Sequence, residues 1–318
     1  MRLSNILLAL VAAAAVALSL MNASWLAPRP AGTLVLVAHR GVAQPFDRAA
    51  AGPCSARNVG DAGHRMIENT IFSMQNAIAY GARGLALDVH TSADGHAMIF
   101  RDADLSCRTN GTGRVADRTL AYLQGLDVAY GYSHDGGRTF PLRGRGVGGM
   151  PTAEEVLRDF PTTLLIFTLS EPRDADALVA DFARAGLPIG ANHGFAGSPA
   201  ALARLRQLTR AGWTIDPAAS DACLSGYRAR GWLGLVPDSC RGTTIVIPRR
   251  GEWTLWGWPY RFMGRLAGAG ARLFIEGDAA GDALVGLERP EQLGEVPHDY
   301  RGLLLIEDMY DVGRALQR

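Results

Sequence analysis

Short runs of Leu, Val, Ile and Thr alternate along this chain with stretches whose apolar residues fall at helical spacing, and that alternation leaves few folds open. The candidate strands are Leu34–Ala38, Gly84–Asp88, Thr163–Thr168, Leu187–Ala191, Trp213–Asp216, Thr243–Pro248, Arg272–Glu276 and Leu303–Ile306. Helical periodicity marks Ile71–Tyr80, Thr152–Phe160, Asp174–Ala185, Ala200–Ala211, Ser220–Gly231 and Trp256–Gly268. Near-continuous apolar strands are buried on both faces, as parallel sheets under crossover helices are. Eight of them predict an α/β fold, a (β/α)8 barrel. With 318 residues and 48% hydrophobic content the chain can bury one large core, which excludes disordered and fibrous classes.

Between the second and third candidate strands, Thr91 to Met150 is too long and too rich in Gly and Asp for a simple crossover, so a small insertion is expected at about 92–150. Ala93-Asp94-Gly95-His96 reads as a tight hairpin turn leading into Ala97–Phe100. Arg108–Gly113 and Gly144–Gly149 are glycine-rich, but neither joins a strand to a helix as a phosphate-cradling loop does. They are expected to be ordinary loops.

Residues 1–28 carry one charge near the start, Arg2, then an uncharged run from Ile6 to Met21, and no further charge until Arg29. That is an export signal or a membrane anchor ahead of a domain at 33–318. No small-x-small cleavage site stands out, since Met21 precedes Ala23 and Trp25 precedes Ala27 by two residues. An uncleaved anchor is therefore expected, with Arg2 inside and the domain extracytoplasmic, in a periplasm-like compartment; a secreted domain is the other outcome. Cys54, Cys107, Cys223 and Cys240 suit such an oxidising compartment. Of three possible pairings, Cys54–Cys107 and Cys223–Cys240 are expected, the second closing a turn between a helix and a strand. No Cys-x-x-Cys supports zinc. With a net charge of +1 and no basic block, nucleic acid is not an expected partner.

Chemistry concentrates at strand ends. The run Leu34–Ala38 stops in His39-Arg40-Gly41, a proton carrier beside a fixed cation. Ile67-Glu68-Asn69-Thr70 adds a carboxylate and an amide, and Leu87-Asp88-Val89 a second carboxylate. In a parallel barrel such C-terminal positions line one mouth, and together they suggest a phosphoryl-handling pocket.

These residues carry a resemblance to the glycerophosphodiester phosphodiesterase family, whose domain is a TIM barrel with a small insertion. The likeness runs from about Leu34 to Asp311 and is strongest over 37–113: Ala-His-Arg-Gly at 38–41, Glu-Asn-Thr at 68–70, Leu-Asp-Val at 87–89, Asp-Gly at 94–95 and Arg-Thr-Asn-Gly-Thr-Gly at 108–113. The resemblance implies a divalent cation, calcium or magnesium, on the phosphodiester, and two histidines exchanging protons with the attacking and leaving oxygens. His39 matches the first histidine, with Arg40 to grip phosphate. Glu68 and Asn69 match the element that orients Arg40 or the metal's surroundings, and Asp88 matches the second carboxylate of a Glu-x-Asp metal motif.

Departures fall on the chemistry. Ala86 stands where that motif's first carboxylate belongs, and Arg101 stands before Asp102 in place of the second histidine. Ile166-Phe167-Thr168-Leu169-Ser170 replaces the family's Glu-x-Lys, so that a restored carboxylate would belong at Phe167 or Thr168. Arg101 does not deprotonate near neutral pH and serves only to bind phosphate or an internal carboxylate such as Glu68 or Asp88. Substitute carboxylates could come from Glu171, Glu276 or Glu307, each more usually a solvated loop acid. His193 could reach the mouth, while His64, His90, His96 and His134 read as loop histidines. Trp253, Trp256 and Trp258 could wall an apolar groove for lipid tails, pack helices or anchor an interface. The expectation is a family member of the phosphoric diester hydrolase class, acting on glycerophosphodiesters or lipid head groups with weak or lost activity; the alternative is a non-catalytic relative that binds an anionic phosphodiester or a protein partner.

Overall fold

The computed structural model describes residues 3–45, 54–60, 63–247, 251–277 and 284–316. Met1, Arg2, Pro248 and residues 317–318, which enter the expectations above, lie outside them. In chain order the elements are α1 (Leu3–Asn22), β1 (Leu34–His39), α2 (Ile71–Ala79), β2 (Gly84–Thr91), β3 (Ala97–Ile99), α3 (Leu120–Gln124), α4 (Ala153–Asp159), β4 (Leu164–Leu169), α5 (Pro172–Ala185), β5 (His193–Gly197), α6 (Pro199–Leu208), β6 (Trp213–Thr214), α7 (Pro217–Arg230), β7 (Thr244–Ile247), α8 (Tyr260–Gly268), β8 (Arg272–Ile275), β9 (Gly302–Ile306) and α9 (Met309–Leu316). The fold class is the expected α/β one, a (β/α)8 barrel with an insertion after its second strand. By contact density the chain divides into a larger unit (Val35–Thr214, Gly277–Leu293, Leu305–Arg318) and a smaller one (Met1–Leu34, Ile215–Glu276, Gly294–Leu304).

In the larger unit a parallel sheet runs β6-β5-β4-β2-β1, and β3 turns back antiparallel on β2, as the Asp94-Gly95 turn predicts. Register sets which side chains share a face. His39 pairs with Ala86, Ala86 with Ile166, and Asp88 with Thr168, so these lie on one face in two successive layers. Leu87 and Phe167 take the other face, where Phe167 meets Phe182 of α5 edge-on at 6.0 Å. Phe167 is thus a packing residue under the helices, and of the two positions considered for a lost carboxylate only Thr168 faces the strand ends.

One strand is displaced from its expected place. Leu187–Ala191 is not a strand because α5 is still being closed there: Gly186 takes a left-handed conformation and the Leu187 N–H donates to the Phe182 carbonyl. β5 forms instead at His193-Gly194-Phe195-Ala196-Gly197, where a side chain on Gly194 would meet the Trp213 ring at 2.5 Å. His193 therefore starts its strand, opposite Leu165, and packs on Phe182, away from the strand ends that carry the chemistry. The insertion has its own core, with Leu105, Val115, Leu123, Leu126, Tyr132 and Leu142 buried against Met98 and Phe100, and Cys54–Cys107 ties it. Its second glycine-rich loop wraps a carboxylate of the chain itself, because Gly144 and Gly146 N–H donate to Asp127 at 2.6 and 3.0 Å.

In the smaller unit β7, β8 and the first residues of β9 are parallel neighbours. Tyr227 of α7 packs edge-on against Phe262 of α8, and the Cys223–Cys240 disulfide joins α7 to the turn before β7, as expected. Trp258 packs on Phe262, whereas Trp253 and Trp256 are exposed.

Candidate active site

Every charged group of the site lies in the larger unit. β1 delivers His39 and Arg40, and the chain then turns on Gly41, whose missing side chain leaves room for α2: a Cβ there would stand 2.5 Å from Ser73 Oγ and 2.9 Å from the Met74 nitrogen. Arg40 and Asn69 adopt φ of 63° and 59°, the two non-glycine residues in left-handed conformations among the described residues. They are tied together, since Arg40 N–H donates to the Ala86 carbonyl at 2.7 Å and Asn69 N–H to the Arg40 carbonyl at 2.8 Å. Strain held in this way collects where side-chain aim matters more than local stability.

The Arg40 guanidinium is buried among carboxylates. Nη2 bonds to Glu307 Oε1, Nε is 2.9 Å from Glu68 Oε2, and Nη1 is 3.9 Å from Asp88 Oδ2. Burial alone would lower its pKa, but Glu307, Glu68 and Asp88 raise it above the usual arginine value. Glu307 also takes His39 Nδ1 at 2.8 Å and the Gly286 N–H at 3.0 Å. Although burial opposes it, Arg40 and His39 hold Glu307 far below the usual carboxylate range. Being ionised, Glu307 can only accept, so His39 Nδ1 is the donor of that bond.

Glu68 is the second hub. Arg108 Nη1 is 2.8 Å from its Oε1, the Tyr132 hydroxyl donates to that oxygen at 2.9 Å, and Arg101 Nη1 stands 4.0 Å away. Burial pushes its carboxyl up, but Arg108, Arg40 and Arg101 outweigh that and bring it to about 2. Arg108 also reaches Asp102 at 2.9 Å and Ser55 at 2.7 Å. Arg101 lies 3.9 Å from Asp102 and is the most exposed of the three arginines, with burial and then Arg40 lowering its pKa. Several polar atoms here are buried without a hydrogen-bond partner: both on the Asn69 amide, Asp88 Oδ2 and Thr168 Oγ1.

The structure thus brings together His39, Arg40, Glu68, Asp88 and Arg101, with Asn69 on the backbone of Arg40. Glu307, weighed as a solvated acid, is instead a buried centre of the site. Its signal was available: it follows the last apolar run as His39 follows the first. Arg108 reads in the sequence only as part of a glycine-rich loop, and Tyr132 carries no signal of its own, until the insertion folds over Glu68. Glu171 is a partly exposed cap of α5 paired with Arg114 and Arg173. Glu276 belongs to the smaller unit, where burial raises it to about 7.

A resident divalent ion does not fit this donor set. Calcium takes six to eight oxygens and magnesium six, whereas Glu307 and Glu68 are committed to arginines and Asp88 Oδ2 faces Arg40 at 3.9 Å. Among the described residues no group of three His, Cys, Asp or Glu could hold a metal. The guanidinium of Arg40 supplies the positive charge that these carboxylates require.

The profile of the glycerophosphoryl diester phosphodiesterase family matches residues 60–178. The Mycobacterium tuberculosis protein Rv2277c is 33% identical over 100 residues, 31% of this chain and 33% of that protein. A glycerophosphodiester phosphodiesterase of Caldanaerobacter subterraneus is 41% identical over 61 residues, 19% of this chain and 25% of that enzyme. The matching stretches thus span a third or less of these curated relatives. In three dimensions the likeness is far wider. The crystal structure of the glycerophosphoryl diester phosphodiesterase domain of Rv2277c covers 90% of this chain and 98% of its own at a TM-score of 0.62 and 19% identity. An Oleispira antarctica phosphodiesterase, solved with the product sn-glycerol-3-phosphate, covers 93% of this chain and 100% of its own at a TM-score of 0.55 and 17% identity. At such identities these structures speak for the barrel fold.

Proposed function

We propose, from the match of residues 60–178 to the glycerophosphoryl diester phosphodiesterase family, that this chain binds a glycerophosphodiester or a related lipid head group and hydrolyses it slowly. One observation carries the binding: orphaned buried polar atoms on Asn69, Asp88 and Thr168 beside three arginines. Leaving such groups unpaired costs about 1–3 kcal/mol each, and a phosphodiester oxygen would repay the Asn69 amide and the Thr168 hydroxyl. Arg101 is the phosphate contact. A bound sn-glycerol-3-phosphate in the Oleispira antarctica phosphodiesterase is consistent with that ligand class.

The chemistry is thin by comparison. His39, held by Glu307, can take or give one proton. Arg101 occupies the place of the second histidine and cannot alternate as acid and base, which costs about 100- to 10,000-fold in rate. The family's divalent cation has no set of oxygens here, so turnover is independent of metal. Two disulfides and an uncharged N-terminal helix support an extracytoplasmic protein anchored through α1.

Calorimetric titration of the full chain with glycerophosphocholine and sn-glycerol-3-phosphate, alongside release of free choline with calcium, magnesium or chelator, tests this reading. Binding with slow, chelator-insensitive turnover is expected. Restoring Ala86→Glu, Arg101→His and Thr168→Glu together is expected to add metal-dependent turnover. Rapid metal-dependent hydrolysis by the unaltered chain, or no binding of either compound, overturns it.

A further inference from the structure

α1 is tied to the fold at its C-terminal end. Asn22 Nδ2 donates to the Trp232 carbonyl at 2.8 Å, while Arg265 of α8 donates to Asn22 Oδ1 at 3.0 Å and to the Met21 carbonyl at 3.1 Å. Two residues on, Ser24 Oγ accepts the Tyr260 N–H at 2.8 Å. All of these belong to the smaller unit. A leader removed by cleavage after these residues would strip the part-buried Arg265 of two acceptors, so the bonds argue that α1 is a permanent part of the protein. From Ser4 to Asn22 the helix has no charge and none of it is buried. Nineteen residues rise about 29 Å, which matches a hydrocarbon core of about 30 Å.

The surface around that exit is unusual in composition. All four exposed tryptophans among the described residues, Trp25, Trp232, Trp253 and Trp256, lie in this unit; Trp25 is 76% and Trp253 82% exposed. Trp25 follows Ser24 in the chain, and Trp232 and Trp256 are linked to the same anchor point. Trp232, Leu233 and Leu235 sit in the turn beside Met21 and Arg265, where a Cβ on Gly234 would lie 3.4 Å from the Arg265 guanidinium. Trp256 donates to the Arg228 carbonyl and accepts from the Tyr227 hydroxyl, which itself receives Arg265. Exposed tryptophan gathered at the end of an apolar helix is what the head-group layer selects, since one side of the ring is apolar and its N–H is polar. Arg228 and Arg230, in the last turn of α7, add cations beside it.

We propose that this end of the smaller unit rests in a lipid bilayer interface: α1 is retained as the span, and Trp25, Trp232, Leu233 and Leu235 enter the head-group layer around its exit. The occupant is the membrane that α1 crosses, and the inference rests on α1 being an anchor, as put forward above. A nitrobenzoxadiazole label on Leu235→Cys, compared with one on Asp221→Cys, tests it in the full chain reconstituted into vesicles of equal parts phosphatidylcholine and phosphatidylglycerol. Asp221 is exposed on α7, nine residues before Arg230 and so about 14 Å up that helix. The expected result is blue-shifted emission and quenching by brominated acyl chains at position 235, water-like emission at 221, and retention of the chain after an alkaline wash. Retention with water-like emission at both positions overturns the interfacial surface while leaving the anchor. Loss of the chain on washing, or a purified protein whose mass lacks α1, overturns both.

Discussion

Arg40 shows how the site is balanced at the level of single side chains. A guanidinium this deeply buried is tolerated only because Glu307, Glu68 and Asp88 surround it, and each of those carboxylates is tolerated for the converse reason. Removing one charge strands the others. Glu307→Gln is expected to cost about 3–5 kcal/mol of stability, read as a lower midpoint in chemical denaturation. Acid does the same job more gently. Glu68 sits at about 2 in the folded protein against an ordinary 4.5, so its contribution is complete above about pH 4.5 and is lost as pH falls toward 2, roughly 3 kcal/mol in all. Asp308 opposes it, because burial raises that carboxyl to about 6 and favours the folded state as it gains its proton. Over this range Asp308 nearly offsets Glu68, but Glu307, held lower still by Arg40 and His39, adds a further loss, so denaturation at about pH 5 and about pH 3 should find the protein weaker at the lower value; equal or greater stability there would contradict the roles given to Glu68 and Glu307 together.

At the scale of elements, the site depends on how closely strand ends and their following segments approach. Gly286 lies against the end of β9, where a Cβ would meet the Glu307 nitrogen at 2.2 Å and the Ile306 carbonyl carbon at 2.4 Å. Both are backbone atoms, so neither can swing aside. Gly286→Ala is expected to lose about 1–3 kcal/mol and to disturb the N–H that Glu307 accepts. Gly268→Ala, at the end of α8 with nothing within 4 Å of the new methyl group, should be neutral or stabilising by comparison. β5 makes the same point from the other side: a stretch poor in strand-forming residues becomes a strand because Gly194 alone accommodates the Trp213 ring.

For the molecule as a whole, the arrangement predicts indifference to divalent ions. A ligand that binds only the folded state at one hundred times its Kd adds about 2.7 kcal/mol, which a melting curve detects readily. Calcium or magnesium at millimolar levels, or a chelator, is expected to leave the melting midpoint unmoved, while a glycerophosphodiester raises it. A metal-induced rise that disappears in Asp88→Asn would show that a cation site exists after all. Net charge is consistent with a small, locally recognised ligand: +1 over 318 residues offers no broad field for a polyanion.

What the sequence determined by itself is what periodicity and chain-local chemistry record. The alternation of apolar runs and amphipathic stretches fixes the α/β class, the loop compositions point to the two disulfides, and the strand endings at His39, Arg40 and Asp88 mark the chemical end of the sheet. Tertiary structure alone decided which charges meet. Glu307 lies 268 residues from His39, and Arg108 and Tyr132 are buried against Glu68 only once the insertion has folded over it. Strand register alone turned Thr168 toward the strand ends and Phe167 beneath α5. A pattern of residues along a chain sets local conformation, whereas an ion pair depends on a distance in space that no local preference encodes.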